Sequence, residues 1–208
     1  MKKVITLQID DKEVKAEEGK TILEAAQHAG MEIPTLCWYE GLEPYGACRF
    51  CSVEIEKKGR AQVVASCCYP AEEGLKVKTR SPKIVKIRKT ILELAATSAG
   101  EDVSSKMRAL ASEYNADLSR FRSNAPLSPT KCILCGLCVR RCIEANWESA
   151  IGFTGRGIYR CIALFPEKAG LCSTCSYCRD VCPTGRTCST FGPRPPFPRI
   201  NDVLAGRK

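Results

Sequence analysis

Histidine is nearly absent from this chain: His28 is the single one among 208 residues. It sits on a predicted helix, far in sequence from every cysteine group, and reads as a surface or packing residue. Long apolar runs are also missing. None approaches the ~20 residues a membrane helix needs, which predicts a chain that is soluble or held at a membrane only by partners. The opening "MKKVITLQID" has two lysines but then alternates apolar and polar residues, so no secretory leader is expected. The formal charge of +9 comes without an aromatic-basic binding motif, and nucleic acid is not the expected partner. The glycine-rich "GFTGRG" from Gly152 to Gly157 lacks a strand–turn–helix setting; it is a poor phosphate loop and reads as a tight turn.

Against these absences stand fifteen cysteines. Disulfides are the first thought for such density. The missing leader, the odd count and the prevalence of C-x2-C pairs argue instead for a cytoplasmic, reduced protein with metal-bound thiolates. The rhythm C-x2-C-x2-C-x3-C occurs twice, as "CILCGLCVRRC" from Cys132 to Cys142 and as "CSTCSYCRDVC" from Cys172 to Cys182. This is the bacterial ferredoxin spacing, in which three close cysteines cap one 4Fe–4S cluster and the fourth reaches the other. It predicts one cluster on Cys132, Cys135, Cys138 and Cys182, and a second on Cys142, Cys172, Cys175 and Cys178. Pro183 follows the second run as the pattern requires, whereas Ile143 follows the first. A pair of zinc sites is the competing reading, and the closely spaced triple suits zinc poorly. The positive charge partly offsets anionic clusters of this kind.

A third set lies upstream. Cys37, Cys48, Cys51 and Cys67 have the spacing C-x10-C-x2-C-x15-C and supply the four thiolates a 2Fe–2S cluster needs. Gly41 and Gly46 permit tight turns in the loop "CWYEGLEPYGACRFC", leaving amide N–H groups to bond the sulfurs. Cys68 is the alternative to Cys67. On a strand the two would face opposite ways, which favours Cys67. Cys161 and Cys188 read as buried thiols.

Three segments frame these sets. Residues 1 to about 80 predict a β-rich domain. "VITLQI" alternates with period two, "DDK" turns the chain, "EVKAE" returns, and "CSVEIE" with "AQVVAS" forms a hairpin around "KKGR". "TILEAAQHAG" is a short helix with Thr21 and Glu24 as a capping box, and "LKVKT" is a last strand. Residues 81–125 predict two helices. The first starts at Ser81-Pro82 and carries Ile84, Ile87, Ile91, Leu94 and Ala95 at helical spacing; the second runs from Val103 to Tyr114. Residues 126–190 hold the repeated rhythm, and 191–208 form an extended Pro/Arg-rich tail.

In order along the chain, "IPTLCWYEGLEPYGACRFCSVEI", "VASCCYPAEEG", "CILCGLCVRRC", "AIGFTGRG" and "CSYCRDVCPTG" resemble the iron–sulfur diaphorase subunit of soluble NAD-reducing hydrogenases. The same pattern opens the large peripheral iron–sulfur subunit of respiratory complex I and the iron-only hydrogenases. The resemblance implies an α+β chain with a β-grasp 2Fe–2S domain (1–80) followed by a ferredoxin domain with two 4Fe–4S clusters (126–190), and the two predicted helices make 81–125 a helical spacer between them. It aligns Cys67 with the family's fourth 2Fe–2S ligand. One departure is plain. The family carries a His and three Cys for a further 4Fe–4S cluster between these domains, and "ILELAATSAGEDVSSKMRALASEYNADLSRF" has neither residue type. Three clusters are expected, not four, with no flavin, NAD or catalytic group on this chain. The resemblance implies an electron relay between a flavin/NAD(P)-binding diaphorase partner and a catalytic partner, foremost a nickel–iron hydrogenase. An adaptor or carrier for a formate dehydrogenase or another NAD(P)-linked oxidoreductase is the alternative. The iron–sulfur subunit of a succinate or fumarate enzyme fits less well, because the gap after Cys37 is too long.

Overall fold

A computed structural model describes residues 3–99, 103–121, 132–146, 149–157, 160–172, 175 and 177–185. The predicted tail and Cys188 lie outside them. The chain divides into two units, Met1–Leu137 with Pro183–Gly185, and Cys138–Cys182 with Arg186–Lys208.

In the first unit β1 (Val4–Ile9) pairs antiparallel with β2 (Lys12–Glu17). The turn between them places Asp10 and Asp11 at φ 47° and 64°, the doubly left-handed geometry that matches strand twist in two-residue hairpins. Asp10 also accepts from the Thr79 N–H at 2.7 Å and from the Thr79 hydroxyl, which ties the turn to the end of β5 (Lys76–Lys78). A second hairpin, β3 (Ser52–Lys57) with β4 (Arg60–Ala65), turns at Lys58 and Gly59 with φ 52° and 72°. The sheet order is β2-β1-β5-β3-β4, with β1 and β5 parallel. This is the mixed sheet of a β-grasp. Alternate residues Ile5, Leu7 and Ile9 point into the core with Val53, Ile55 and Val77, each fully burying an aliphatic side chain worth roughly 1.5–3 kcal/mol.

Helix α1 (Ile22–His28) closes this core with Ile22, Leu23, Ala25 and Ala26. His28 is exposed on its last turn. The capping box is complete: Thr21 Oγ1 accepts from Glu24 N–H at 3.2 Å, and Glu24 Oε2 accepts from Thr21 N–H at 2.8 Å. Burial pushes the Glu24 carboxyl up, but the Thr21 N–H, Lys20 and the Thr21 hydroxyl outweigh it and hold the group below its ordinary 4.5. A depressed carboxyl stabilises the fold above that value and loses its contribution as pH falls through the lowered one. Thr21→Ala should lower stability by about 1 kcal/mol near neutral pH in denaturant unfolding. The gap between variant and parent should narrow in acid.

Two helices follow, α2 (Pro82–Ala99) and α3 (Ser105–Glu113). Ser104 caps α3 by accepting from Met107 N–H at 3.3 Å, and its hydroxyl donates to the Pro183 carbonyl at 2.7 Å. The buried face of α2 differs from the apolar stripe expected. Ile84, Arg88, Leu92 and Ala96 are buried at spacing four, Glu93 is buried beside them, and Leu94 is 52% exposed. Two charged residues turn inward because each finds partners there, which offset part of the cost of burying them. Glu93 takes Arg120 at 2.8 Å and the Asp117 N–H at 3.3 Å; Arg88 is described below.

The second unit holds most of α4 (Leu137–Asn146), then a hairpin of β6 (Ile151–Thr154) with β7 (Cys161–Leu164), and the short helices α5 (Ala169–Cys172) and α6 (Tyr177–Asp180). The periodicity did not announce this hairpin, since each strand has four residues. "GFTGRG" is partly strand and partly the expected turn, with Gly155 and Gly157 at φ 70° and 55°. No described helix is long and apolar enough to cross a membrane.

Candidate metal centre

The loop from Cys37 to Cys51 folds back on itself through Gly41 and Gly46, at φ 81° and 64°. That return brings the Cys48 N–H to 3.4 Å from Cys37 Sγ. Arg49, at φ 59°, turns the next residue so that Phe50 N–H donates to Cys48 Sγ at 3.4 Å. Leu134, at φ 54°, does the same for its own loop, donating N–H to Cys132 Sγ at 3.4 Å. Amides aimed at sulfur are the donors that stabilise a negatively charged thiolate cluster.

The four upstream sulfurs come as two pairs. The Cys48 thiol shares a hydrogen bond with the Cys37 thiol, which together with burial pushes Cys48 far up. Cys51 Sγ and Cys67 Sγ lie 3.3 Å apart, close enough to share a proton. That sharing, against burial, pulls Cys51 down to about 6, and it pushes Cys67 up with burial adding to the rise. Two pairs of sulfurs, buried except for the half-buried Cys48, fit a binuclear centre with two thiolates per iron. Among the described residues no three His, Cys, Asp or Glu side chains form a compact site for a single ion.

The fourth position needs one correction. Cys67 and Cys68 do not lie on a strand, because β4 ends at Ala65 and Ser66–Cys68 form a turn. Strand alternation therefore does not separate them, and their sulfurs are 3.5 Å apart. Burial does separate them: Cys67 is 1% exposed and paired with Cys51, while Cys68 is exposed. Gly46 sits against Cys68, where a Cβ would lie 2.9 Å from its sulfur. The turn itself is anchored by α1, whose Ile22 and Leu23 N–H groups donate to the carbonyls of Tyr69 and Ser66 at 2.9 and 3.0 Å.

Two residues that spacing could not reveal hold Cys51 in place. Ser66 Oγ donates to the Cys51 carbonyl at 2.8 Å. Arg88, fully buried on α2, donates from Nε to the Phe50 carbonyl at 3.1 Å and from NH2 to the Ser52 carbonyl at 2.9 Å. Three successive carbonyls around one cysteine are thus pinned by side chains. Position 88 did lie in an Ile84–Leu92 row of spacing four, but a charge there reads as solvated until the packing is known.

The downstream cysteines fall in both units. Cys132 and Cys135 belong to the first; Cys138, Cys142, Cys175, Cys178 and Cys182 belong to the second. Cys142 is buried on α4 and accepts from the Ala150 N–H at 3.3 Å. Cys161 is buried on β7 with its sulfur 3.2 Å from Thr154 Oγ1. Cys172 closes α5, and its side chain lies outside the described residues.

Residues 2–82 match the family model described as a 2Fe-2S iron-sulfur cluster binding domain, so the first unit carries a domain of that class. A chain of the crystal structure of NAD+-reducing [NiFe]-hydrogenase in the H2-reduced state is 34% identical, with a TM-score of 0.64 over 77% of this chain and 74% of that one. Over 88% of this chain, NADPH-Fe(3+) oxidoreductase subunit alpha of Geobacter sulfurreducens is 36% identical. The mitochondrial NADH dehydrogenase [ubiquinone] iron-sulfur protein 1 of Solanum tuberosum is 32% identical, also over 88% of this chain. The chain spans only 24% and 27% of the length of these two curated relatives. It belongs to the same family as that hydrogenase chain. It is homologous to a subunit of the NAD+-reducing hydrogenase and to the N-terminal region of the large iron–sulfur protein of NADH dehydrogenases.

Proposed function

We propose that this chain relays single electrons between a flavin- and NAD(P)-binding diaphorase partner and a catalytic partner of the nickel–iron hydrogenase kind. Its own contribution is ligation and insulation. Cys37 and Cys48 hold one iron of a 2Fe–2S cluster, and Cys51 and Cys67 hold the other. Cys132, Cys135, Cys138 and Cys182 take one 4Fe–4S cluster, and Cys142, Cys172, Cys175 and Cys178 take a second, in a ferredoxin domain of residues 126–190. The clusters, when bound, accept and release one electron at a time. The protein pairs the upstream sulfurs, buries Cys37, Cys51, Cys67, Cys135 and Cys142, and aims amides at Cys37, Cys48, Cys132 and Cys142.

The observation that carries this reading is a shared core. Cys48 and Ile133, the neighbour of Cys132, pack against one buried group of Leu36, Phe50, Leu92 and Tyr114. One cysteine of the upstream set and one residue of the first C-x2-C loop therefore rest on the same side chains, which supports electron passage between the two sets. No His or Cys occupies the stretch 91–121, which supports three clusters over four. The likeness to a hydrogenase chain supports the choice of terminal partner.

The full chain, reconstituted anaerobically on its own, should contain about ten irons and no zinc per copy, with one 2Fe–2S and two 4Fe–4S signals in EPR. From native extract the chain should elute in a large assembly with a flavin-bearing subunit. Zinc in the preparation, or NAD reduction by the isolated chain, would reject the proposal. A relay serving a different terminal reductase is the second reading, favoured by the 36% identity to NADPH-Fe(3+) oxidoreductase subunit alpha. The co-purifying catalytic subunit decides between the two.

A further inference from the structure

Arg88 is fully buried, and no carboxylate pairs with it among the described residues. Its guanidinium meets only neutral groups: the Phe50 and Ser52 carbonyls, the Tyr114 hydroxyl at 3.1 Å from NH1, and the face of the Tyr114 ring 5.7 Å from Cζ. A buried arginine is rare without a counter-charge, because carbonyls and a hydroxyl solvate it but do not neutralise it. Glu93, the nearest acid in sequence and also buried, is engaged with Arg120 instead. What Arg88 does face is the backbone on either side of Cys51.

Resting on the ligand assignment above, we infer that Arg88 is a positioning residue for the 2Fe–2S centre, and that its counter-charge is the anionic thiolate cluster itself. It acts in two ways. Its fork fixes the Phe50–Cys51 and Ser52–Val53 peptides, and since a trans peptide sets N–H opposite C=O, the first of these fixes the direction of the Cys51 N–H as well. Its charge favours the reduced centre, which is more negative than the oxidised one by one electron, and so raises the reduction potential. A merely structural clamp between α2 and the loop would do the first and not the second.

The test uses the full chain with Arg88→Gln and Arg88→Lys, each reconstituted anaerobically. Iron and sulfide content and thermal unfolding are measured beside an EPR-monitored redox titration of the 2Fe–2S signal. Arg88→Gln removes the charge and should shift the reduction equilibrium at least tenfold toward the oxidised form, which is about 59 mV lower for one electron. Arg88→Lys keeps the charge and should stay within threefold of the parent even if it unfolds at lower temperature. A fully loaded Arg88→Gln with the parental midpoint would overturn the inference. So would a fully loaded Arg88→Lys whose midpoint drops tenfold, which reads the result even if the glutamine variant does not fold. Absence of any 2Fe–2S signal in the parent would instead reject the ligand assignment, and this inference with it.

Discussion

Cys51→Ser is expected to abolish the 2Fe–2S signal of the reduced chain and to remove about two irons, leaving both 4Fe–4S signals. Cys51 has the most developed setting of the four upstream cysteines. Its thiol is held down to about 6, so it offers thiolate, the form that binds metal, near neutral pH. Its carbonyl is bonded by Ser66, and the carbonyls before and after it by Arg88. A serine hydroxyl loses its proton far less readily than a thiol, so the second iron lacks a ligand. The companion variants sort out the fourth position. Cys67→Ser leaves a sulfur 3.5 Å away in Cys68, so partial loading with an altered signal is expected. Cys68→Ser alone should load fully, and the double variant should hold no 2Fe–2S cluster. A Cys68→Ser chain without the signal, beside a normal Cys67→Ser chain, would transfer the ligand role to Cys68.

Phe50→Ala is expected to cost about 3–5 kcal/mol, the range for truncating a buried aromatic, and to lower the unfolding temperature by on the order of 10 °C. Phe50 is 0% exposed and meets Tyr114 edge to face, with centroids 5.7 Å apart and planes at 76°. It lies between Cys48 and Cys51 while its ring sits in the core that also supports Ile133. Truncation therefore loosens both loops, and the chain should lose iron from the 2Fe–2S site first and from the cluster on Cys132 and Cys135 next. Leu94→Ala is the control. Leu94 belonged to the apolar stripe expected on α2, yet it is 52% exposed, and its truncation should change stability by less than about 0.5 kcal/mol. Calorimetry of the two variants side by side checks the size of the aromatic effect and the rotation of the helix together.

The contrast between Leu94 and Arg88 shows where reading residues in order succeeds. The strands of the first sheet were legible because one face is buried and the other solvated, so period two survives in "VITLQI" and "SVEIE". The turns were legible because Asp10, Asp11 and Gly59 are residues that tolerate a left-handed backbone. The grouping of Cys37, Cys48, Cys51 and Cys67 was legible from spacing, and the structure brings their sulfurs together in two pairs. The inward face of α2 was not, since its orientation is set by carbonyls at the loop end and the start of β3, more than thirty residues upstream, and only packing shows that Phe50 and Ser52 have acceptors to spare. The turn at Ser66–Cys68 was missed for a related reason. "AQVVASCC" carries no Gly, Pro or Asn to mark the end of the strand, and α1 imposes it by donating to Ser66 and Tyr69.

The bond from Ser104 to the Pro183 carbonyl has a consequence for how the molecule is made. The unit that begins at Met1 borrows Pro183–Gly185 from beyond Cys182, so the whole of Cys138–Cys182 is an insertion within it. A chain emerging from the ribosome N-terminus first cannot give α3 its last acceptor until that insertion has been translated. A nascent chain halted just short of Pro183 therefore leaves the Ser104 hydroxyl without this acceptor.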